Sequence, residues 1–205
     1  AWAKVVEGQN GLLTHWKLPD VTPQQAFFER KVLPLFEGGV KRDFVLTSDA
    51  LRFEVAQELV QHTNSKSRFK ASLDGMLGVL PSYTALGMAA LLPHQTLAYK
   101  ESANLDVLAD GHTVATLEQR NEHLNRFGGI AVKAEDLLAL GKDKGREFVR
   151  DQRLVYIYHD RIDMTGDKQA SETKTFEAAA KTVQELSNVL GFIINSLNGS
   201  TVLVT

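Results

Sequence analysis

Three short, almost continuously apolar runs most constrain the fold of this chain. They are Phe44–Thr47, Leu154–Tyr158 and Thr201–Thr205, and amphipathic helices are predicted between them, over Leu51–His62 and Thr175–Leu197. A strand that faces water on one side alternates apolar and polar residues, whereas a strand buried on both faces is apolar throughout. The pattern therefore predicts an α/β fold with a mostly parallel sheet covered by helices on both faces.

The rest of the chain adds smaller elements to this plan. An Asp-Gly pair between apolar residues is typical of a β-hairpin, and alternating apolar residues indicate a half-buried strand. The further predicted elements are a strand over 69–73, a hairpin over 107–114, a helix over 117–127, a strand over 130–133 and a helix over 134–140. Residues 1–39 predict short helices that form an N-terminal extension or cap, and residues 40–205 form the α/β domain.

Composition limits the chemistry more than it limits the fold. The 205 residues carry a net charge of −2, which gives no general attraction to nucleic acid or to a membrane surface. Without cysteine, a metal site must use Asp, Glu, His or hydroxyl ligands. No signal peptide or membrane span is visible, and we expect a cytoplasmic location. The chain begins without Met and ends in a predicted strand, so we also expect it to be part of a longer protein.

One turn places a hydroxyl at the start of a helix. The apolar run from Met76 passes through Pro81-Ser82-Tyr83-Thr84 into an Ala/Leu-rich helix, and Asp49 follows the strand 44–47. Ligands of open α/β sheets collect at the carboxyl ends of the strands, where a carboxylate and a hydroxyl can share a metal and a phosphate. Each residue has a simpler explanation, because Asp49 and Thr84 can both be helix N-caps.

A second acidic segment follows the strand 154–158. Residues 159–167 read His-Asp-Arg-Ile-Asp-Met-Thr-Gly-Asp, and a solvated turn explains them about as well as a metal site does. The basic stretches 66–70 and 142–153 indicate a solvated surface more often than a contact with a phosphate backbone. Walker, Gly-x-Ser-x-Gly and His-Glu-x-x-His motifs are absent from the sequence.

Taken together, these segments resemble the PglZ family, the alkaline-phosphatase-like component of BREX bacteriophage-defence systems. The resemblance rests on Phe44–Glu54, Gly78–His94, Val155–His159 and Thr175–Ala178, and the run Leu-Pro-Ser-Tyr-Thr-Ala-Leu-Gly-Met-Ala-Ala-Leu-Leu-Pro is its most specific part. It implies an alkaline-phosphatase-like core that is truncated at its C-terminus, since the family's Asp-His-Gly metal motif follows a strand like 201–205.

The resemblance also implies roles for individual residues. Asp49 corresponds to the first metal-binding aspartate, Thr84 to the nucleophile that also touches the metal, and Asp163 to an aspartate that binds the second metal. Asp167 stands where the superfamily commonly has His, and it remains a possible oxygen ligand. The implied cofactor is a divalent cation, with Zn first and Mn or Mg as alternatives, and we expect an incomplete metal site in this chain.

Three functions remain open at this point. The first is a metal-dependent phosphoester hydrolase, either a phosphatase or a phosphodiesterase with nuclease activity. The second is a non-catalytic scaffold within the defence complex, and the third is an unrelated nucleotide-binding α/β domain. The expected partners are other BREX proteins, with DNA or a phosphorylated molecule as substrate and no membrane.

Overall fold

A computed structural model describes residues 6–7, 11–66, 68–100, 105–160 and 172–205, with the side chains of 66 and 172–179 left out. The strands in these ranges are β1 (Thr22–Pro23), β2 (Asp43–Ser48), β3 (Met76–Leu77), β4 (Leu97–Tyr99), β5 (Val107–Ala109), β6 (His112–Thr113), β7 (Gly129–Lys133), β8 (Leu154–His159) and β9 (Val202–Val204). The α-helices are α1 (Leu12–His15), α2 (Leu33–Glu37), α3 (Phe53–Lys66), α4 (Thr84–Ala90), α5 (Leu117–Asn125), α6 (Ala134–Ala139), α7 (Gly141–Phe148) and α8 (Glu172–Ser196). A 3₁₀-helix (Gln24–Ala26) and a π-helix (Phe28–Val32) precede α2.

The chain divides into two compact units, each made of two chain segments. The first unit combines Ala1–Leu33 with Asp74–Ala115, and the second combines Pro34–Leu73 with Thr116–Thr205. The sequence predicts a different division, into an N-terminal extension (1–39) and an α/β domain (40–205), and this division stays a prediction.

The second unit contains the parallel sheet that the sequence predicts. Its strand order is β7-β8-β2-β9, and every neighbouring pair is parallel. Successive residues Phe44, Val45 and Leu46 of β2 are all at most 1% exposed, which confirms that the central strand is buried on both faces. Helices flank the sheet, and the fold class is confirmed as mixed α/β.

The core of this unit lies between the sheet and the helices α3, α6 and α8. Side chains of β2, β7 and β8 meet apolar residues of these helices, so burial holds the strands in one register. The cluster contains Phe44, Leu46, Leu59, Ile130, Val132, Leu137, Val155, Ile157, Val183, Leu186, Val189 and Ile193 among its members. At the edge of the sheet, Asn121 Oδ1 of α5 accepts a hydrogen bond from the Ala131 amide at 2.8 Å.

The first unit is built from short strands around α4. Strand β1 pairs in parallel with β3, while β4, β5 and β6 form an antiparallel sheet. The hairpin predicted over 107–114 is confirmed, with Asp110 and Gly111 at positive φ in the turn between β5 and β6. Asp110 Oδ1 also accepts from the amides of Gln95 and Thr96, at 2.9 and 2.8 Å.

The strand predicted over 69–73 is wrong, because these residues form no strand in the structure. The side chain of Asn64 donates to the Ala71 carbonyl at 3.0 Å and accepts from the Ala71 amide at 2.9 Å. One amide side chain therefore takes both backbone groups that a strand partner would have used.

Among the described helices, none is long and apolar enough to cross a membrane.

Candidate functional site

Asp49 lies directly after β2, at the carboxyl edge of the parallel sheet. Its amide donates to the His159 carbonyl at 2.8 Å, and its Oδ1 accepts from the Ala50 amide at 2.9 Å. Ala50 has a φ of 58°, which reverses the chain at this point. Helix α3 begins only at Phe53, so the N-cap explanation for Asp49 is wrong. The half-buried carboxylate stands in a tight turn at the sheet edge, where ligands of α/β proteins collect.

Three polar side chains lie beside this turn. Ser48 Oγ is 3.1 Å from His159 Nδ1, and His159 Nε2 is 3.0 Å from Glu185 Oε2. Ser48 and His159 are paired residues at the ends of β2 and β8, and Glu185 belongs to α8. The sequence placed His159 at the sheet edge without a role and did not single out Glu185, because the register of a long helix against a sheet is not visible in the sequence.

Tyr156 and Tyr158 belong to strand β8, which ends at His159. Burial raises the pKa of Tyr158 to about 12, although the neighbouring Arg120 opposes this shift, and burial raises the pKa of Tyr156 as well. The Arg120 guanidinium lies 4.8 Å from the centre of the Tyr158 ring. Both phenols therefore stay neutral at physiological pH and add no negative charge to this edge.

Thr84 lies in the first unit, at the first position of α4. It is exposed, and Tyr83 precedes it in the extended conformation without a side-chain cap, so the N-cap explanation for Thr84 is also wrong. Behind Thr84, the helix is anchored by the buried residues Leu86, Met88, Ala89 and Ala90. The hydroxyl-bearing residue thus stands on the outside of a firmly packed helix end.

Gln24 forms hydrogen bonds on both sides of this turn, and no sequence motif indicates this role. Gln24 Oε1 accepts from the Val79 amide, and Gln24 Nε2 donates to the Gly87 carbonyl, both at 3.0 Å. Trp16 Nε1 donates to the Gly78 carbonyl at 2.6 Å. The strand side and the helix side of the Thr84 turn are therefore tied to one side chain. The hydrogen bonds span 55 and 63 residues of sequence, which explains why no local pattern indicated them.

The four residues of the predicted metal site do not all fall within the described structure. Asp49 belongs to the second unit and Thr84 to the first, while Asp163 and Asp167 lie outside the described residues. No group of three His, Asp or Glu side chains that could hold a metal occurs in the part of the chain that the structure describes. The predicted donor set, of carboxylate and hydroxyl oxygens, would suit Mg²⁺ or Mn²⁺ and would be compatible with Zn²⁺.

A parallel sheet flanked by helices, with Asp49 in a turn after an inner strand, defines an α/β protein, and this architecture is consistent with an alkaline-phosphatase-like domain. Residues 27–205 match the family model described as the BREX system PglZ alkaline phosphatase-like domain. The chain belongs to the PglZ family, as its resemblance indicated.

Two curated relatives support this assignment over the whole chain. The sequence is 45% identical over 205 residues to the alkaline phosphatase-like protein BrxZ of Escherichia coli O9:H4 (strain HS). It is 32% identical over 206 residues to the alkaline phosphatase-like protein PglZ of Bacillus cereus (strain H3081.97). The chain is covered completely in both comparisons and spans 24% of the length of each relative.

Proposed function

We propose that the intact protein containing this chain is a metal-dependent phosphoester hydrolase of a BREX defence system. The observation that carries the proposal is the exposed Thr84 at the first position of α4, in a turn that Gln24 ties on both sides. Membership of an alkaline-phosphatase-like family supports it independently. The proposed setting is the cytoplasm, with other BREX proteins as partners, and the proposed domain division remains 1–39 and 40–205.

The proposed metal site uses oxygen ligands from four positions: Asp49, Thr84, Asp163 and Asp167. A divalent cation, with Zn²⁺ first and Mn²⁺ or Mg²⁺ as alternatives, would lower the pKa of a bound hydroxyl and neutralise charge on phosphoryl oxygens. Asp49 is suited to such a role because its turn fixes the direction of the carboxylate at the sheet edge.

In the proposed reaction, Thr84 Oγ1 attacks the phosphorus atom opposite the leaving oxygen. The bond between phosphorus and the leaving oxygen breaks, and this oxygen departs with the electron pair and takes up a proton. Water then attacks the phosphorus atom of the phosphothreonine and restores the hydroxyl of Thr84, which releases phosphate from a monoester substrate or a phosphate monoester from a diester substrate. A diester substrate makes the enzyme a phosphodiesterase or nuclease, and a monoester substrate makes it a phosphatase.

The test is turnover of chromogenic phosphate diesters and monoesters by the intact protein, with Zn²⁺ or Mn²⁺ added. We expect Thr84→Ala to lower kcat by about 10³-fold or more, as expected for loss of a nucleophile. Ser82→Ala is the matched control, because Ser82 is an exposed hydroxyl residue of the same turn and has no role in the proposal. We also expect a chelator to abolish turnover and added metal to restore it.

Two outcomes would contradict the proposal in different ways. Unchanged turnover in Thr84→Ala would show that the nucleophile is assigned wrongly. Absence of turnover with every metal and both substrate classes would instead favour the non-catalytic scaffold within the defence complex.

A further inference from the structure

Ser48, His159 and Glu185 form a continuous chain of hydrogen bonds that joins two strands to one helix. The bonds measure 3.1 Å from Ser48 Oγ to His159 Nδ1 and 3.0 Å from His159 Nε2 to Glu185 Oε2. Only 9% of the His159 side chain and 25% of the Glu185 side chain are exposed. We call these three residues the edge relay.

The edge relay has the connectivity of a nucleophile, a base and an orienting carboxylate, yet its burial argues against that role. Ser48 is 4% exposed, so a substrate has almost no access to its hydroxyl. Both ring nitrogens of His159 have an oxygen partner, which fixes the rotation of the imidazole. In this arrangement both ring nitrogens are engaged, so neither is free to bind a metal.

Asp49 lies directly beside the edge relay. Ser48 directly precedes Asp49, and the His159 carbonyl accepts the Asp49 amide hydrogen at 2.8 Å. The side chain and the main chain of His159 therefore hold two consecutive residues of the turn, one bond to each. Glu185 anchors His159 to α8, whose Leu186 is fully buried in the core. Hydrogen bonds thereby connect α8 to the backbone of the turn that carries the Asp49 carboxylate.

We propose that the edge relay is a positioning device that holds Asp49 in the orientation needed to bind the divalent cation. This inference rests on the proposed function, because it takes Asp49 as a metal ligand. Groups that orient metal ligands through hydrogen bonds change metal affinity or activity by about 10–100-fold when they are removed. His159 and Glu185 are positioning residues in this scheme, since neither touches the substrate.

The experiment is a calorimetric titration of the metal-free intact protein with Mn²⁺, which does not depend on turnover. We expect His159→Ala and Glu185→Ala to weaken Mn²⁺ binding by about tenfold. Glu185→Gln keeps an oxygen acceptor for the imidazole and should recover most of the affinity. In an Asp49→Asn background, Glu185→Ala should have no further effect, because the ligand that it positions is gone.

The chain offers a matched control in a second histidine–serine pair. His62 Nδ1 of α3 lies 2.9 Å from Ser187 Oγ of α8, two residues after Glu185, and the pair has no contact with the Asp49 turn in the described hydrogen bonds. We expect His62→Ala to leave the Mn²⁺ affinity at the wild-type value. Thermal unfolding of every variant monitors its folding.

The possible results of the titration have different consequences. Unchanged affinity in both relay variants overturns the edge relay, and so does an equal loss of affinity in His62→Ala. If His159→Ala does not fold, the comparison of Glu185→Ala with Glu185→Gln decides alone. If the wild-type protein binds no Mn²⁺ and no Zn²⁺, the proposed function fails and the edge relay fails with it.

Discussion

Replacement of Asp43 by Asn should change the pH dependence of stability in a defined direction. Asp43 is fully buried at the amino end of β2, and neither carboxyl oxygen has a hydrogen-bond partner among the described residues. Burial raises the pKa of Asp43 to about 6, while the positive charge of Arg153 partly opposes this effect. The Arg153 guanidinium itself lies 4.9 Å from the centre of the Phe36 ring.

The direction of the pKa shift of Asp43 decides whether stability rises or falls with pH. Because the folded-state pKa of Asp43 lies above its ordinary value of 3.8, the folded protein retains a proton that the unfolded chain loses. Below pH 4 both states are protonated and there is no penalty. Between about pH 4 and pH 6 the folded state loses free energy relative to the unfolded state, and the penalty is constant above pH 6.

The magnitude is limited by the size of the shift. A shift of about two pKa units corresponds to about 3 kcal/mol, since one unit is worth about 1.4 kcal/mol. The pKa of about 6 already includes the opposing charge of Arg153, so no further reduction for this residue applies. The buried amide of the Asn variant has its own cost, which does not depend on pH. The informative quantity is therefore the difference between variant and wild type as a function of pH.

The measurement is the thermal unfolding midpoint of both proteins at a series of pH values from about 4 to 7.5, which covers the predicted change and the constant region above pH 6. We expect Asp43→Asn to gain stability relative to wild type as the pH rises. Thr47→Val is the control, because Thr47 is a buried residue of the same strand whose hydroxyl has no partner in the described structure and does not titrate. A difference between Asp43→Asn and wild type that stays constant with pH, or decreases, would refute the reasoning.

Two further predictions concern the Thr84 turn and the sheet. Gln24→Glu places a carboxylate oxygen against a backbone carbonyl, which costs about 1–3 kcal/mol, and we expect kcat on a phosphodiester to fall at least about tenfold. Gln25→Glu, on the exposed neighbour, should leave kcat unchanged; equal effects would contradict this. Gly129→Ala should destabilise the protein by about 1–3 kcal/mol, because a Cβ there would lie 2.8 Å from the Leu154 carbonyl oxygen. Gly75→Ala, which meets nothing within 4 Å, should leave the unfolding midpoint nearly unchanged, and an equal loss in both variants would disprove the steric argument.

The long elements were predictable because their signal is repeated over many residues. Strands β2 and β8 each contain a run of successive buried residues, 44–46 and 154–157, and the helix predicted over 175–197 corresponds to α8 at 172–196. The apolar run from Met76 forms only the short strand β3, and the strand predicted over 69–73 does not form. Alternation of apolar residues indicates a strand only when a partner strand is available, and Asn64 supplies hydrogen bonds of another kind at Ala71.

In the candidate site, local sequence patterns identified some residues and gave no indication of others. Asp49 and Thr84 stood out because each comes at the junction of a strand or turn with a helix, where chemistry is common. Gln24 and Glu185 did not, because each acts through hydrogen bonds to residues 26–63 positions away. Such contacts depend on how elements pack, and the pattern of neighbouring residues carries no information about them. Asp163 and Asp167 lie outside the described residues, and their role stays a prediction.

The most direct test of the central claim is to look for phosphate on Thr84 itself. The intact protein would be mixed with a phosphodiester and metal, quenched in acid during turnover, and digested for mass spectrometry. We predict a phosphoryl group that still carries the remaining ester group of the diester on the peptide that contains Thr84, located on that residue and absent from Thr84→Ala. The same adduct on a different residue, or full turnover by Thr84→Ala, would contradict the assignment of Thr84 as the nucleophile.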